Sequence, residues 1–301
     1  MIVMVMVLCQ SLSPITITEG EEKMDRKKIT PVDIQTMKKE GKKISMLTAY
    51  DYPMALLEDR AGIEIILVGD SLGMTVLGYE NTLPVTMDEM IHHTQAVTRG
   101  SKYALIIGDM PFMSYNTSER DAILNAGRFM KEGKADAVKL EGGAGVKDIV
   151  RAIVRAGIPV MGHIGLTPQT ISMLGGFKVQ GKDAQAAQKI IDDALSLEDA
   201  GAFSVLLEAI PAPISKRITE RLKVPTIGIG AGVHCDGQVL VVHDMLGLFD
   251  RFTPKFAKKY VNLSELILKA VESYREEVLK GAFPTDQHSF HIDEKELSKV
   301  K

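Results

Sequence analysis

The chain is expected to fold as an α/β protein, a single-domain (β/α)8 TIM barrel with an N-terminal helix and a C-terminal helical extension. Three features predict it. About eight short runs of β-branched and aliphatic residues recur along the 301 residues, separated by helical patterns or structured loops. A rhythm of roughly 25–40 residues per unit suits eight strand–helix units, and such alternation builds a parallel sheet. Some runs, such as Ile63–Val68 with Glu64 as its one polar residue, are almost wholly apolar, the pattern of a strand covered on both faces. Most runs also end on a carboxylate or a glycine. In a barrel those C-terminal strand ends meet on one rim, where ligands bind.

Taken in order, Pro31–Glu40 reads as a helix with Thr30 as N-cap and Pro31 at its first position. Ile44–Ala49 is the first strand, closing on Tyr50-Asp51-Tyr52, and Pro53–Arg60 is a short helix that Gly62 ends. The second strand runs into Gly69-Asp70-Ser71, and Gly73–Val85 is a loop long enough to be functional. Thr86 and Glu89 have capping-box spacing at the start of a helix reaching Gly100. Strand Ala104–Asp109, helix Ser118–Glu132 and strand Ala135–Leu140 follow, the last placing Lys139 and Glu141 at its end.

Helix Val146–Ala156 leads to strand Val160–His163, and the irregular stretch Ile164–Lys182 has the length of a lid or binding loop. Asp183–Ala200 is an amphipathic helix, and Phe203–Leu207 is a strand ending on Glu208. After helix Pro213–Leu222, strand Val224–Ile229 runs into Gly230-Ala231-Gly232, read as a close-packed turn in preference to a phosphate cradle. Gln238–His243, ending on Asp244, completes the barrel, and Phe256–Gly281 is a closing helix.

Composition excludes several classes. The net charge of -3 is spread over mixed signs, so neither a nucleic-acid footprint nor a polybasic membrane patch is present. Cys9 and Cys235 are too few for a disulfide framework or a metal knuckle, so the expected location is the reducing cytoplasm. Met1–Cys9 is apolar, yet far shorter than the roughly 20 residues of a membrane span, and no basic n-region precedes it. Residues 1–23 are therefore expected to be a disordered extension, or to lie upstream of an initiating Met24. The barrel domain is expected over residues 24–292, with a charged tail at 293–301.

Placed on one rim, Asp51, Asp70, Asp109, Glu141, Glu208 and Asp244 face a common mouth together with Lys139 and His163. Any single carboxylate there is commonly a turn former or a helix cap. Six together repel unless a cation or raised pKa values relieve them, which points to a divalent metal. All-oxygen ligation suits Mg²⁺. An α-keto acid can chelate such an ion through its carboxylate and keto oxygens. The carbonyl is then polarised, an enolate is stabilised, and a nearby carboxylate can remove the adjacent C–H proton.

The motifs are more specific than the spacing. They are TAYDYPMA at Thr48–Ala55, VGDSLGMTVLGYENTLPVT at Val68–Thr86, DMPFMSY at Asp109–Tyr115, VKLEGG at Val138–Gly143 and GHIGLTPQ at Gly162–Gln169. GGFKVQGKD at Gly175–Asp183, LLEAIP at Leu206–Pro211, GIGAG with DGQ across Gly228–Gln238, and HSFH at His288–His291 follow. In this order they resemble the ketopantoate hydroxymethyltransferase family from about Thr30 to Ile292.

The resemblance implies transfer of a one-carbon unit from 5,10-methylenetetrahydrofolate, the co-substrate, to 3-methyl-2-oxobutanoate. The product would be 2-dehydropantoate, in pantothenate and coenzyme A biosynthesis, formed through a Mg²⁺-stabilised enolate. By matching position, Asp70 and Asp109 are the implied metal ligands, with Glu141 beside the ion directly or through water. Asp70, Ser71, Asp109 and Lys139 are the implied substrate-binding residues, and Glu208 the catalytic base acting at C3. His163 and Asp244 are left as folate-side candidates or as structural hydrogen-bonding groups. The implied partners are the 2-oxo acid, the folate and copies of the chain in a homo-oligomer, a decamer, with no nucleic acid and no membrane.

Two rivals stand beside this reading. One is another Mg²⁺-enolate barrel, a carbon–carbon lyase or mutase of the phosphoenolpyruvate/isocitrate lyase group. It is disfavoured because no cysteine has a reactive setting near a strand end. The other is a catalytically dead barrel, disfavoured because Asp70, Asp109 and Glu208 are all present.

Overall fold

The computed structural model describes residues 26–170, 176, 178–249 and 254–301. The expected N-terminal extension lies outside the described residues, as does part of the expected loop after the fifth strand. Eight parallel strands close into a barrel in sequence order. They are β1 Ile44–Thr48, β2 Ile65–Val68, β3 Leu105–Asp109, β4 Ala137–Glu141, β5 Val160–Gly165, β6 Ser204–Glu208, β7 Thr226–Ile229 and β8 Gly237–Leu240. β8 returns to pair with β1, from Ile44 opposite Gly237 to Leu47 opposite Leu240. The barrel read from the sequence is therefore the observed one.

Alternation along each strand divides the core in two. Ile65, Leu67, Leu105, Ile107, Ala137, Met161, Leu206 and Ile227 form the interior cluster, while Ile66, Ile106, Val138, Leu140, Val205 and Leu207 pack outward under the helices. Both sets being apolar, the strands read as continuous hydrophobic runs. Each fully buried Ile or Leu contributes about 1.5–3 kcal/mol. Continuing the inward phase by two residues puts Asp109 above Ile107, Lys139 above Ala137, His163 above Met161 and Glu208 above Leu206, and two more put Glu141 above Lys139. The rim of polar groups is thus the top layer of the interior.

Local signals set most boundaries. Thr86 and Glu89 close the expected capping box: the Thr86 N–H donates to Glu89 Oε2 at 2.7 Å and the Glu89 N–H to Thr86 Oγ1 at 3.2 Å. Gly108 faces outward, where a Cβ would collide with the Phe129 ring. Phe129 opens the π turn Phe129–Gly133 that continues helix Glu119–Arg128. Of the Gly228–Gly232 stretch, Gly228 and Ile229 end β7 and the rest is a close-packed turn, with Gly230 against Phe256 and Gly232 against Ala212.

Three expectations are corrected. Asp51 caps helix Tyr52–Ala61, accepting the Met54 N–H at 2.8 Å, and lies exposed outside the cavity described below. β8 stops at Leu240, because the Val242 N–H turns to donate to Thr48 Oγ1 at 3.0 Å; Asp244 then sits on the short helix Val242–Leu246. The closing helix begins at Leu263, well after Phe256, which packs against the barrel interior instead. Among the described residues no helix is long and apolar enough to cross a membrane.

Adjacent carboxylates on helix Tyr52–Ala61 have opposite fates. Asp59 accepts from Ser101 Oγ at 2.8 Å and from the N–H groups of Lys102, Tyr103 and Ala104, tying the helix to the entry of β3. Glu58 is as buried, at 4% exposure, and neither of its carboxylate oxygens has a hydrogen-bond partner. Burial, then the charge of Asp51, pushes its carboxyl up to about 8. The folded state therefore keeps a proton that the unfolded chain releases above its ordinary value, so this group's stability contribution is complete at low pH and is lost as pH rises toward 8. Glu58→Gln is expected to flatten the decline in melting temperature between acid and mildly alkaline pH. At the alkaline end it should stabilise by about 1–3 kcal/mol. Parallel melting curves of wild type and variant across that range would refute the assignment.

Candidate active site

A cavity of about 370 Å³ occupies the C-terminal mouth of the barrel. Asp70, Ser71, Asp109, Lys139, Glu141 and Glu208, the six residues to which the resemblance assigns roles, all line it, with His163 and Asp244. Strand register explains the first contacts. Asp109 of β3 lies opposite Lys139 of β4, and Glu141 opposite His163 of β5. Lys139 Nζ stands 2.6 Å from Asp109 Oδ1 and 3.8 Å from Glu141 Oε1. Asp109 Oδ2 accepts the Asp70 N–H at 3.1 Å, so the turn after β2 is anchored to the end of β3. Ser71 Oγ is paired with the buried Tyr50 hydroxyl at 2.8 Å.

His163 joins the two halves of the rim. Its Nδ1 lies 3.3 Å from Glu141 Oε1 and its Nε2 lies 3.2 Å from Glu208 Oε2. Neither nitrogen has an aligned hydrogen bond, a looseness common to catalytic groups before substrate tightens them. Glu208 reaches this position through a constrained turn. The next residue, Ala209, has φ 49°, and Gly165 lies opposite Glu208 where a Cβ would meet the Glu208 carbonyl. Glycine is required at that approach.

The charges are strongly coupled. Burial, then the charge of Asp109, raises the Asp70 carboxyl well above the usual range; burial likewise raises Asp109 against the pull of Lys139. Burial works against the Lys139 ammonium, but Asp109, Glu141 and Asp70 outweigh it and hold the proton. Glu141 is held below its ordinary value because His163, Lys139 and the Gln169 N–H together overcome burial. Burial and Lys139 oppose charge on His163, yet Glu141 and Glu208 push it up to about 9.

The residues fit a divalent ion. Four carboxylates in formal charge face Lys139 and His163, leaving an excess of two negative charges in a buried site. The raised Asp70 and Asp109 carboxyls report that excess. Among the described residues no group of three or more His, Cys, Asp or Glu side chains is arranged to cage a metal. Mg²⁺ needs no such cage, since it takes one or two carboxylates and fills its shell with substrate oxygens and water.

Three residues of the site were not singled out in the sequence. Gln169 Nε2 donates to Asp70 Oδ2 at 2.9 Å and to the Met110 carbonyl at 3.0 Å, while its backbone N–H donates to Glu141 Oε2 at 3.0 Å. The Tyr115 hydroxyl donates to Gln169 Oε1 at 2.7 Å, fixing which way the amide faces. Tyr50 holds Ser71. Each lies inside a recognised motif, GHIGLTPQ, DMPFMSY or TAYDYPMA, and that membership was the available signal.

The model of a family described as ketopantoate hydroxymethyltransferase matches residues 28–286. A 3-methyl-2-oxobutanoate hydroxymethyltransferase of Moorella thermoacetica is 61% identical over 265 residues, covering 88% of this chain and 98% of that protein. One from Carboxydothermus hydrogenoformans is 57% identical over 277 residues, covering 92% and 100%. Among solved structures, 2,3-dimethylmalate lyase, a PEP mutase/isocitrate lyase superfamily member, aligns with TM-score 0.56 at 13% identity, covering 90% of this chain and 98% of its own. At that identity the likeness concerns the fold alone.

Proposed function

Because the chain belongs to the ketopantoate hydroxymethyltransferase family, we propose that it moves a one-carbon unit from 5,10-methylenetetrahydrofolate to 3-methyl-2-oxobutanoate, forming 2-dehydropantoate for pantothenate synthesis. The observation that carries the reading is the division of labour in the cavity. The Asp70–Asp109 pair is buried with Lys139 against it, while Glu208 stands apart on β6 with His163 at one oxygen.

Asp70 and Asp109 would hold Mg²⁺, with Glu141 beside it directly or through water. An ion held there would supply Lewis-acid polarisation of the keto carbonyl and would offset the negative charge that grows as the proton leaves. Lys139 balances the carboxylate of the 2-oxo acid, and Ser71, held by Tyr50, offers it a hydroxyl. Glu208 accepts the C3 proton on the oxygen that His163 leaves free. The resulting carbon nucleophile attacks the methylene of the donor as one of its two carbon–nitrogen bonds breaks, and water then displaces the other nitrogen, releasing tetrahydrofolate and leaving the hydroxymethyl group. Among the described residues no cysteine lines the cavity, and Cys235 is buried outside it, which argues against the lyase and mutase alternative.

Incubating the protein with Mg²⁺ and 3-methyl-2-oxobutanoate in D₂O, without folate, tests the proton step in isolation. Exchange of the C3 proton, lost on chelation, is the expected result. Absence of exchange, or cleavage of methylisocitrate-like acids, would overturn the reading.

We also read the enzyme as a cytoplasmic homo-oligomer, a decamer. Helix Leu263–Leu279 buries none of its residues and leaves Leu266, Leu268, Val271 and Tyr274 exposed. A helix with so much uncovered apolar surface gains stability from a partner surface. Light scattering that returned the mass of a single chain would exclude the assembly.

A further inference from the structure

We propose that Asp244 recognises the one-carbon donor, its carboxylate pairing with the 2-amino and N3–H edge of the pterin ring; this rests on the transferase reading of the cavity. Strand order divides the mouth. Asp109, Lys139 and Glu141 come from β3 and β4, which in a closed ring of eight lie across from β7 and β8. Among the described residues the opposite wall is built by Ile229 of β7, Val239 of β8, Val241, Phe249 and Phe256. Among the described residues that wall is apolar except for Asp244 and Lys255. Glu208, on β6, stands between the two sides.

Asp244 is 7% exposed, and among the described residues nothing donates a hydrogen bond to its carboxylate. Burial pushes its carboxyl up to about 6 against the pull of Lys259. A buried carboxylate lining a cavity without a donor is costly until a ligand supplies one. The 2-oxo acid cannot do so, because it carries only acceptor oxygens and C–H groups and is itself an anion. A pterin can. It presents two N–H groups side by side, the arrangement a carboxylate accepts in bidentate fashion, on a flat ring whose faces suit the aromatic and aliphatic wall. With its ring edge on Asp244, the donor approaches from across the barrel, so that its methylene meets the carbon that Glu208 deprotonates.

The test compares wild type with Asp244→Asn in two assays: C3 proton exchange of 3-methyl-2-oxobutanoate without folate, and hydroxymethyl transfer at varied 5,10-methylenetetrahydrofolate. The ratio of transfer to exchange is expected to fall, with the KM for the folate raised about 10–100-fold, the scale of a charged hydrogen-bonding pair. Calorimetry on the wild-type protein gives a second readout that needs no variant. Tetrahydrofolate should bind about 10–100-fold more tightly than its analogue lacking the 2-amino group. Equal binding of the two folates, an unchanged folate KM in the variant, or exchange and transfer falling in parallel would each overturn the assignment. Absence of exchange in the wild type would instead indict the transferase reading.

Discussion

Glu208→Gln is expected to slow C3 proton exchange of 3-methyl-2-oxobutanoate by about 10²–10⁴-fold, the range a positioned general base contributes. The amide keeps the shape of the side chain and can still place an oxygen 3.2 Å from His163 Nε2, but it cannot accept a proton from carbon. Binding of the 2-oxo acid should change by less than a few-fold, because the groups proposed to hold it, Ser71 and Lys139, are anchored to Tyr50 and Asp109 and do not depend on Glu208. The expected signature is thus a loss of rate with little loss of affinity. An exchange rate close to wild type would move the base to another residue, and a parallel loss of affinity would make Glu208 a binding group.

The second large effect separates stability from activity. Asp70→Asn is expected to raise the melting temperature of the metal-free protein by a few degrees while lowering Mg²⁺-dependent exchange about a thousandfold. Burial and the Asp109 charge push the Asp70 carboxyl up, so its ionised form is a liability in the folded state. The sign follows from linkage. With the folded value raised, its contribution to stability is complete below the unfolded value and is lost as pH rises through the folded one, leaving a cost at neutral pH. Asparagine removes that cost and keeps an oxygen for the Gln169 amide. The lost ligand removes several kcal/mol of charge stabilisation, about three decades in rate. Melting with and without Mg²⁺ checks both halves: wild type should gain on adding the ion and the variant should not. A variant that melts lower without metal and still responds to Mg²⁺ would contradict the assignment of Asp70.

How much of this was readable from the chain depended on the range of each signal. Asp109 and Glu208 stand out because they belong to a set of carboxylates closing strands on one rim, where together they repel without a cation. Asp51 looked the same in the sequence, yet it is spent on the Met54 N–H, since an aspartate before a helix is also a preferred cap. β8 was drawn too long because Val241 and Val242 continue its apolar run. A tertiary contact to Thr48, 194 residues away in sequence, turns the chain aside. Gln169 went unremarked because a glutamine in a loop has no local signature; its partner Asp70 is 99 residues distant.

Residue order alone determined the parallel barrel, most helix starts and the set of acidic strand ends, because apolar runs, caps and glycine stops are written in neighbouring residues. Only barrel closure decided which acids share the interior, which is spent as a cap, and that Gln169, Tyr115 and His163 bind the rim into one network. Whether a side chain points inward depends on its strand's register against both neighbours around a closed ring, and no short stretch of sequence contains that information.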